Sequence, residues 1–174
     1  MATQIIPTQR EVTFGPDEII VSKTDLKGRI TYANRTFANI AGYSRGELMG
    51  APHSIIRHPD MPRAVFKLLW DRLGEQHEVF AYVKNMTRHG DYYWVFAHVT
   101  PSYDDTGKVV GYHSNRRVPD RRVIREVMEP VYGELLRIEA SHANAKDGLR
   151  ASFGRLLDIV KSKANSYDEL IFSL

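Results

Sequence analysis

Apolar residues recur with two different periods along this chain, and the period changes from one segment to the next. Ile19-Ile20-Val21 and Arg29-Ile30-Thr31-Tyr32 are short apolar runs separated by Asp25-Leu26-Lys27-Gly28, a sequence typical of a tight turn. Together they predict two paired strands. Turn-forming residues bound three further segments that predict strands: Val79–Met86, Tyr92–Thr100 and Lys108–Arg116.

Helical signals fill the interval between the second and third strands. Asn34 is placed to cap a short helix that Gly42 ends, and Ser44-Arg45-Gly46-Glu47 has the spacing of a capping box. A longer helix is predicted from Pro62 to about Leu73. This order predicts an α+β fold, a five-stranded antiparallel sheet with short helices on one face.

After Pro119-Asp120 the pattern is helical and predicts a C-terminal helical extension. Its apolar residues form two stripes: Ile124, Met128, Val131, Leu135 and Ile138, then Leu149, Phe153, Leu156, Leu157 and Val160. Pro130 should kink or restart the first helix, Ala140–Gly148 should bend, and Ser166 offers a third helix start. We expect a helical hairpin packed on the sheet or on another subunit.

Composition changes this picture mainly by exclusion. The 174 residues are 43% hydrophobic and 26% charged, which indicates one globular domain. No apolar stretch could span a membrane and Met1–Arg10 lacks a signal-peptide core, so we expect a soluble, cytoplasmic protein without membrane insertion. The absence of cysteine excludes disulfides, thiolate metal sites and a cysteine–flavin photoadduct.

One short segment concentrates strong hydrogen-bonding groups. Arg57, His58 and Asp60 stand within a run that contains Pro59 and ends at Pro62. Each proline restricts its own backbone and that of the preceding residue, so the loop is stiff. Two interpretations stay open: a rigid helix start, or one wall of a binding site whose guanidinium suits phosphate or carboxylate.

Recognised catalytic and metal motifs are missing, so we expect no enzyme and no metal site. There is no nucleophile elbow, no His-Glu-x-x-His pair, no dinucleotide fingerprint and no phosphate loop. A single histidine could still hold a haem. We also expect no nucleic-acid binding, because the net charge is only +3 and no aromatic platform accompanies the C-terminal arginine cluster: Arg116, Arg117, Arg121, Arg122 and Arg125.

A planar organic ligand fits the remaining pattern best. Aromatic residues lie on the long helix and on the strands that it should face: Phe66, Trp70, Tyr82, Tyr93, Trp94 and Phe96. Polar residues are predicted to converge on the same layer: Asn34, Arg57, His58, Asn85 and His113. Burying so many polar groups without partners is costly, and a heterocycle would satisfy them.

These residues carry a family resemblance over about residues 18 to 118. The matching text is Thr24-Asp25-Leu26, Ile30-Thr31-Tyr32-Ala33-Asn34, Gly42-Tyr43, Glu47-Leu48-Met49-Gly50, Pro52-His53, Arg57-His58-Pro59-Asp60-Met61-Pro62, Val83-Lys84-Asn85, Gly90-Asp91-Tyr92-Tyr93-Trp94-Val95 and Gly111-Tyr112. The chain resembles the PAS domain of aerotaxis (energy-taxis) receptors. Residues 1–17 would then be a lead or cap, 18–118 the sensor, and 119–174 a helical output and dimerisation segment.

The resemblance implies a non-catalytic redox sensor that binds FAD without a covalent bond. The cofactor-binding residues that it implies are Asn34, His53, Arg57, His58, Asp60, Trp70, Asn85 and Tyr93, and the aromatic layer adds Phe66. It also implies a downstream signalling partner, a chemoreceptor or kinase module. The two apolar stripes of the C-terminal helices favour a homodimer. A PAS sensor for haem or another small ligand stays the alternative.

Two points remain open at the level of sequence. Relatives often carry a tryptophan where this chain has Glu78-Val79-Phe80, so one wall of the pocket is expected to differ. Arg57 and His58 either contact the flavin or hold the loop that does. The sequence is compatible with a piece of a longer receptor and with a small sensor that acts through a partner.

Overall fold

The computed structural model describes residues 5–174, so the first four residues of the predicted N-terminal lead lie outside the described part. Its strands are β1 (Ile20–Asp25), β2 (Ile30–Ala33), β3 (Val79–Met86), β4 (Tyr92–Tyr103) and β5 (Val109–Arg117). Its helices are α1 (Arg35–Ala41), α2 (Arg45–Leu48), α3 (Arg63–Gly74), α4 (Arg121–Val123), α5 (Glu129–Ala140), α6 (Ala145–Lys163) and α7 (Tyr167–Ser173).

The five strands form one antiparallel sheet in the order β2-β1-β5-β4-β3. Helices α1 to α3 cover one face, called here the inner face, and the C-terminal helices follow as an extension. The predicted α+β architecture is therefore confirmed. Strand β4 runs three residues beyond the predicted Thr100, because pairing with β5 continues to Tyr103 through a bulge between Ser102 and Tyr103.

Local signals start and stop the inner helices as the sequence predicts. The Asn34 side chain accepts a hydrogen bond from the backbone N–H of Phe37 at the start of α1, and Gly42 ends that helix at a positive φ of 74°. Ser44 and Glu47 form a reciprocal capping box on α2. These short helices place Phe37 and Leu48 fully inside the core.

Proline shapes the first C-terminal helix. Pro130 has no N–H to donate, and the turn before it, Ile124–Met128, is a π-helix. The N–H of Glu129 reaches the carbonyl of Ile124, five residues back. The predicted kink is therefore a widened turn and not a break. The predicted bend at Ala140–Gly148 is shorter, because Asn144 caps α6 and the helix begins at Ala145.

The C-terminal helices pack on their own chain. Helices α5 and α6 form a hairpin, α6 lies against α3, and α7 contacts β3. On the outer face of the sheet, the Tyr132 hydroxyl donates to the carbonyl of Tyr82 at 2.6 Å, and its ring stacks on Trp94. Of the two sequence-based alternatives, the structure has packing within the chain, and a homodimer stays a prediction.

The described part of the N-terminal segment lies along the start of β4. The backbone N–H of Thr8 donates to the carbonyl of Gly90, and that of Val12 donates to the carbonyl of Tyr92. Arg10 forms an ion pair with Asp91. This segment therefore covers the β3–β4 turn. Within residues 5–174, no helix combines the length and apolar character needed to cross a membrane.

Candidate functional site

A cavity of about 280 Å³ lies between the inner face of the sheet and α3. This volume is near the lower end of the range for small-molecule pockets, about 300–1,000 Å³. Its apolar walls are Ile56, Phe66, Leu69, Trp70, Leu73, Val83, Ala97 and Val99. A few polar side chains enter this apolar surround, which is the usual composition of a cofactor or ligand site.

Strand alternation places the polar wall. Ser22 and Thr24 of β1 face the cavity, and so do Tyr112, Ser114 and Arg116 of β5. In each strand the intervening residues point to the outer face, because side chains alternate with a period of two. The two strands pair directly, with Ser22 opposite Ser114, so their polar groups form one continuous patch.

Arg116 is a buried cation without a charged partner among the described residues. The residue is 2% exposed, its guanidinium lies 4.5 Å from the ring of Phe37, and Nη2 donates to Oγ of Ser22 at 2.5 Å. Nε and Nη1 have no hydrogen-bond partner within residues 5–174, where Arg116 also forms no ion pair. Burial lowers the pKa of Arg116 to about 10, so it stays charged at neutral pH.

His53 completes a polar chain with Arg116 through Ser22. Because Ser22 accepts from Arg116, its hydroxyl proton is free to donate to Nε2 of His53, 2.9 Å away. In that arrangement the imidazole is neutral and carries its proton on Nδ1. Burial and the nearby charge of Arg116 lower the pKa of His53 to about 3.

The lowered pKa of His53 predicts a pH dependence of stability. Below pH 6.5, the ordinary pKa of histidine, His53 binds a proton in the unfolded chain but stays neutral in the folded protein. The free energy of unfolding should therefore decrease as the pH falls from 6.5 to 3. His53→Gln should therefore take up fewer protons on unfolding than the natural chain. Urea unfolding at pH 7, 6 and 5 gives the free energy of unfolding of each protein. Equal slopes of that free energy against pH for the two proteins would contradict the prediction.

Arg57 and Asn85 form the opposite wall. They pair as an isolated antiparallel bridge that extends the sheet beyond β3. The guanidinium of Arg57 lies 3.8 Å over the ring of Phe66, and burial lowers its pKa. Neither side chain hydrogen-bonds within the part of the chain that the structure describes. The amide of Asn85 and the guanidinium of Arg57 therefore line the cavity without a hydrogen-bond partner among the described residues.

His58 and Asp60 hold the loop from behind. His58 is fully buried, and its Nδ1 accepts a hydrogen bond from the backbone N–H of Asp60 at 3.0 Å. The carboxylate of Asp60 pairs with Nζ of Lys84 on β3 at 2.6 Å. Burial and the charge of Lys84 lower the pKa of His58. These contacts fix the backbone that presents Arg57 to the cavity.

Trp70 stands at the mouth of the cavity. Its side chain is partly exposed and meets Tyr112 edge to face, with ring centroids 5.4 Å apart. A Cβ at Gly28 would lie 3.7 Å from the indole, and Gly28 has a φ of 75° in the turn between β1 and β2. The left-handed turn therefore favours glycine here and leaves room beside the indole.

The structure brings five of the nine predicted site residues to the cavity wall: His53, Arg57, Phe66, Trp70 and Asn85. The other four lie outside it. Asn34 uses its side chain on the backbone of Ile19, Val21 and Phe37. Tyr93 is fully buried on the inner face, where burial raises its pKa and its hydroxyl lacks a partner among the described residues. His58 and Asp60 act on the loop.

Two expectations about the surrounding layer were wrong. Tyr82, Trp94 and Phe96 lie on the outer face, where they pack near the C-terminal helices and each other. His113 also lies on the outer face, since Tyr112 and Ser114 beside it face the cavity. The sequence analysis therefore assigned residues from both faces of the sheet to a single layer.

The arginines that the sequence analysis grouped into one C-terminal cluster have different environments in the structure. Arg116 belongs to the cavity, Arg121 pairs with Glu11, and Arg122 with Glu126. Sequence reasoning thus missed Arg116, with Ser22 and Ser114 beside it. The signal was present, because Tyr112 and Arg116 have the same parity in the predicted strand. Within residues 5–174 no group of three acidic or histidine side chains could hold a metal ion.

Comparison with known proteins identifies the family and the fold. Residues 30–116, half of the chain, match the PAS fold family. The aerotaxis receptor of Escherichia coli (strain K12) is 39% identical over 136 residues, which cover 78% of this chain and 26% of the receptor. The chain therefore spans about a quarter of the length of that relative.

Solved structures share the fold. The dark structure of the blue-light photoreceptor Aureochrome1 LOV superposes with a TM-score of 0.56 at 22% identity, covering 66% of this chain and 86% of that one. A light-oxygen-voltage domain studied with a flavin analogue gives 0.57 at 17% identity, over 67% and 87%. With its inner cavity under a five-stranded antiparallel sheet and a family match over half of its length, the chain belongs to the PAS family.

Proposed function

We propose that this PAS domain binds FAD non-covalently in the cavity and senses redox state without catalysing a reaction. The observation that carries the proposal is the cation of Arg116, which lines a largely apolar cavity and has no charged partner among the described residues. Leaving a guanidinium buried without a counter-charge is costly. A ligand that is planar, apolar over most of its surface and electron-rich at one edge would relieve that cost.

The side chains around the cavity fit a flavin by their chemistry. Asn85 offers a donor and an acceptor to a heterocyclic edge, and Phe66 and Trp70 offer apolar contact. Arg57, near the rim, suits a phosphate, because its guanidinium fork matches phosphate geometry. When bound, the flavin supplies a ring that accepts electrons and becomes more negative. Arg116 would stabilise that added charge through Nε and Nη1.

The proposal also draws on what the relatives are called. One relative is an aerotaxis receptor, and one structural neighbour is a domain studied with a flavin analogue. By analogy, we assign this chain a role in the cytoplasm as a homodimer that relays the redox state of the flavin to a chemoreceptor or kinase module. Residues 18–118 would form the sensor and 119–174 the output segment.

An absorption spectrum of the purified protein after incubation with FAD tests the proposal. We expect an absorption band at about 450 nm that dithionite bleaches. A band at about 400 nm in the protein as purified would indicate haem instead and would overturn the flavin assignment. A protein that stays colourless after incubation with FAD and, in a separate sample, with haem would contradict cofactor binding altogether.

Asn85→Ala should lower FAD occupancy at least several-fold, because it removes a donor and acceptor from the cavity wall. Asn115→Ala is the matched control, since Asn115 lies on β5 and points to the outer face. Flavin content per protein, from absorbance after gel filtration, measures both variants. Equal occupancy in the two variants would contradict the site assignment.

A further inference from the structure

Two faces of helix α3 contact different parts of the molecule. Phe66, Leu69 and Trp70 line the cavity. Val65 and Leu68 face a small void of about 40 Å³ that residues of α5, α6 and α7 also line. The helix therefore separates the candidate site from the C-terminal helices and contacts both.

The start of α3 lacks a cap of its own. Its N-cap residue is Pro62, which has no side-chain hydrogen-bond group. The first backbone N–H groups of a helix need partners when they are not in water. Here that partner comes from 75 residues further along the chain, since Oε1 of Glu139 accepts from the N–H of Ala64 at 3.1 Å.

Glu139 is a four-contact anchor. Oε2 accepts from the N–H of Arg63 at 3.2 Å and from its Nε at 3.0 Å. Oε1 also accepts from Oγ of Ser152 on α6 at 3.0 Å. The side chain is only 8% exposed, so these bonds are largely shielded from water. One carboxylate therefore joins the last turn of α5, α6 and the first turn of α3.

The contact stands directly after the loop that presents Arg57. From Arg57 the chain passes through His58 and Asp60 to Pro62, and that loop is stiffened by two prolines. A shift of the first turn of α3 therefore moves the loop and the cavity wall together. At the other end of α3, Arg72 pairs with Asp168 of α7, so the helix is tied to the C-terminal helices at both ends.

We propose that Glu139 is a positioning residue for the cofactor site, and that its cap on α3 couples cavity occupancy to the docking of the α5–α6 hairpin. The inference rests on the proposed function, because FAD is taken as the ligand. Coupling is reciprocal: if FAD tightens the docking of the hairpin, the docked hairpin tightens the binding of FAD by the same factor.

The test compares the full chain with Glu139→Ala, Glu139→Gln and Glu134→Ala. Glu134 is the matched control, because it pairs with Arg155 between the same two helices and lies outside the α3 cap. We expect Glu139→Ala to raise the Kd for FAD about fivefold or more. Glu139→Gln keeps an acceptor, so its Kd should lie between that of Glu139→Ala and that of the natural chain. The Kd of Glu134→Ala should equal that of the natural chain.

Hydrogen exchange supplies the readout that a purely structural role would not move. In the natural chain, FAD should slow amide exchange in α5 and α6, although neither helix lines the cavity. That FAD-dependent protection should vanish in Glu139→Ala and persist in Glu134→Ala. Far-UV circular dichroism establishes that each variant is folded.

The outcomes separate the two proposals. A natural chain that binds no FAD would overturn the proposed function and this inference with it. A natural chain that binds FAD with no change of exchange in α5 and α6, or a Glu139→Ala variant with unchanged Kd, would overturn the coupling alone. A raised Kd together with lost protection supports it.

Discussion

Arg116→Met is expected to stabilise the cofactor-free protein and to weaken FAD binding at the same time. The substitution removes a buried cation that has no counter-charge among the described residues, while the thioether keeps the contact with Phe37. Exchanging a buried charge for an apolar side chain commonly raises stability, here by about 1–3 kcal/mol. Losing charged hydrogen bonds to a ligand costs about 1.5–3 kcal/mol, or roughly tenfold to hundredfold in Kd.

Opposite signs make this result easy to distinguish from general damage. Urea unfolding of the cofactor-free protein gives the first quantity, and titration with FAD gives the second. Arg117→Met is the matched control, because Arg117 is exposed and lies on the other face of the same strand. A variant at position 116 that is less stable without cofactor, or that binds FAD as tightly as the natural chain, would contradict the role given to this cation.

Gly148→Ala should destabilise the C-terminal hairpin. A Cβ at Gly148 would lie 2.6 Å from the carbonyl oxygen of Glu139, so the backbones of α5 and α6 must separate. Overpacking typically costs about 1–3 kcal/mol, and we expect the upper part of that range because the obstacle is backbone. In a protein of this length that lowers the melting temperature by about 5–10 °C.

The same helix contains the control. Among the described residues, no atom apart from the adjacent residues and the nearby backbone of α6 lies within 4 Å of a Cβ added at Gly154. Gly154→Ala should therefore raise stability by about 1 kcal/mol, since alanine is the better helix former. Calorimetry of the two variants gives opposite shifts if the contact at Gly148 limits helix packing. A melting temperature for Gly148→Ala at or above that of the natural chain would rule this contact out.

Local signals are what the sequence predicted well. The caps of Asn34 and Ser44, the turn at Gly28 and the alternation within each strand depend on residues close together in the chain. Those signals were enough for the sheet and the inner helices. For the loop at Arg57 they left two interpretations open, a rigid helix start or one wall of a binding site.

Contacts between distant segments were beyond that reasoning. Glu139 caps a helix that starts 76 residues earlier, and nothing in its own neighbourhood indicates such a partner. Arg116 was different. Its spacing from Tyr112 indicated that both side chains lie on one face of the strand, but its position beside four further arginines favoured a surface cluster. Asn34 caps α1 as the sequence indicated, but its further hydrogen bonds to Ile19 and Val21 depend on how β1 and α1 meet.

The central strand of the sheet is also the last strand in the sequence. β5 lies between β1 and β4, and its residue Arg116 bonds Ser22 from 94 positions away. The β1–β2 and β3–β4 hairpins need only local closure, whereas joining them requires a long loop to close. Two-stranded hairpins are at best marginally stable by themselves. During synthesis, the cofactor site therefore cannot form before Arg116 has emerged from the ribosome, even if the earlier hairpins have already formed.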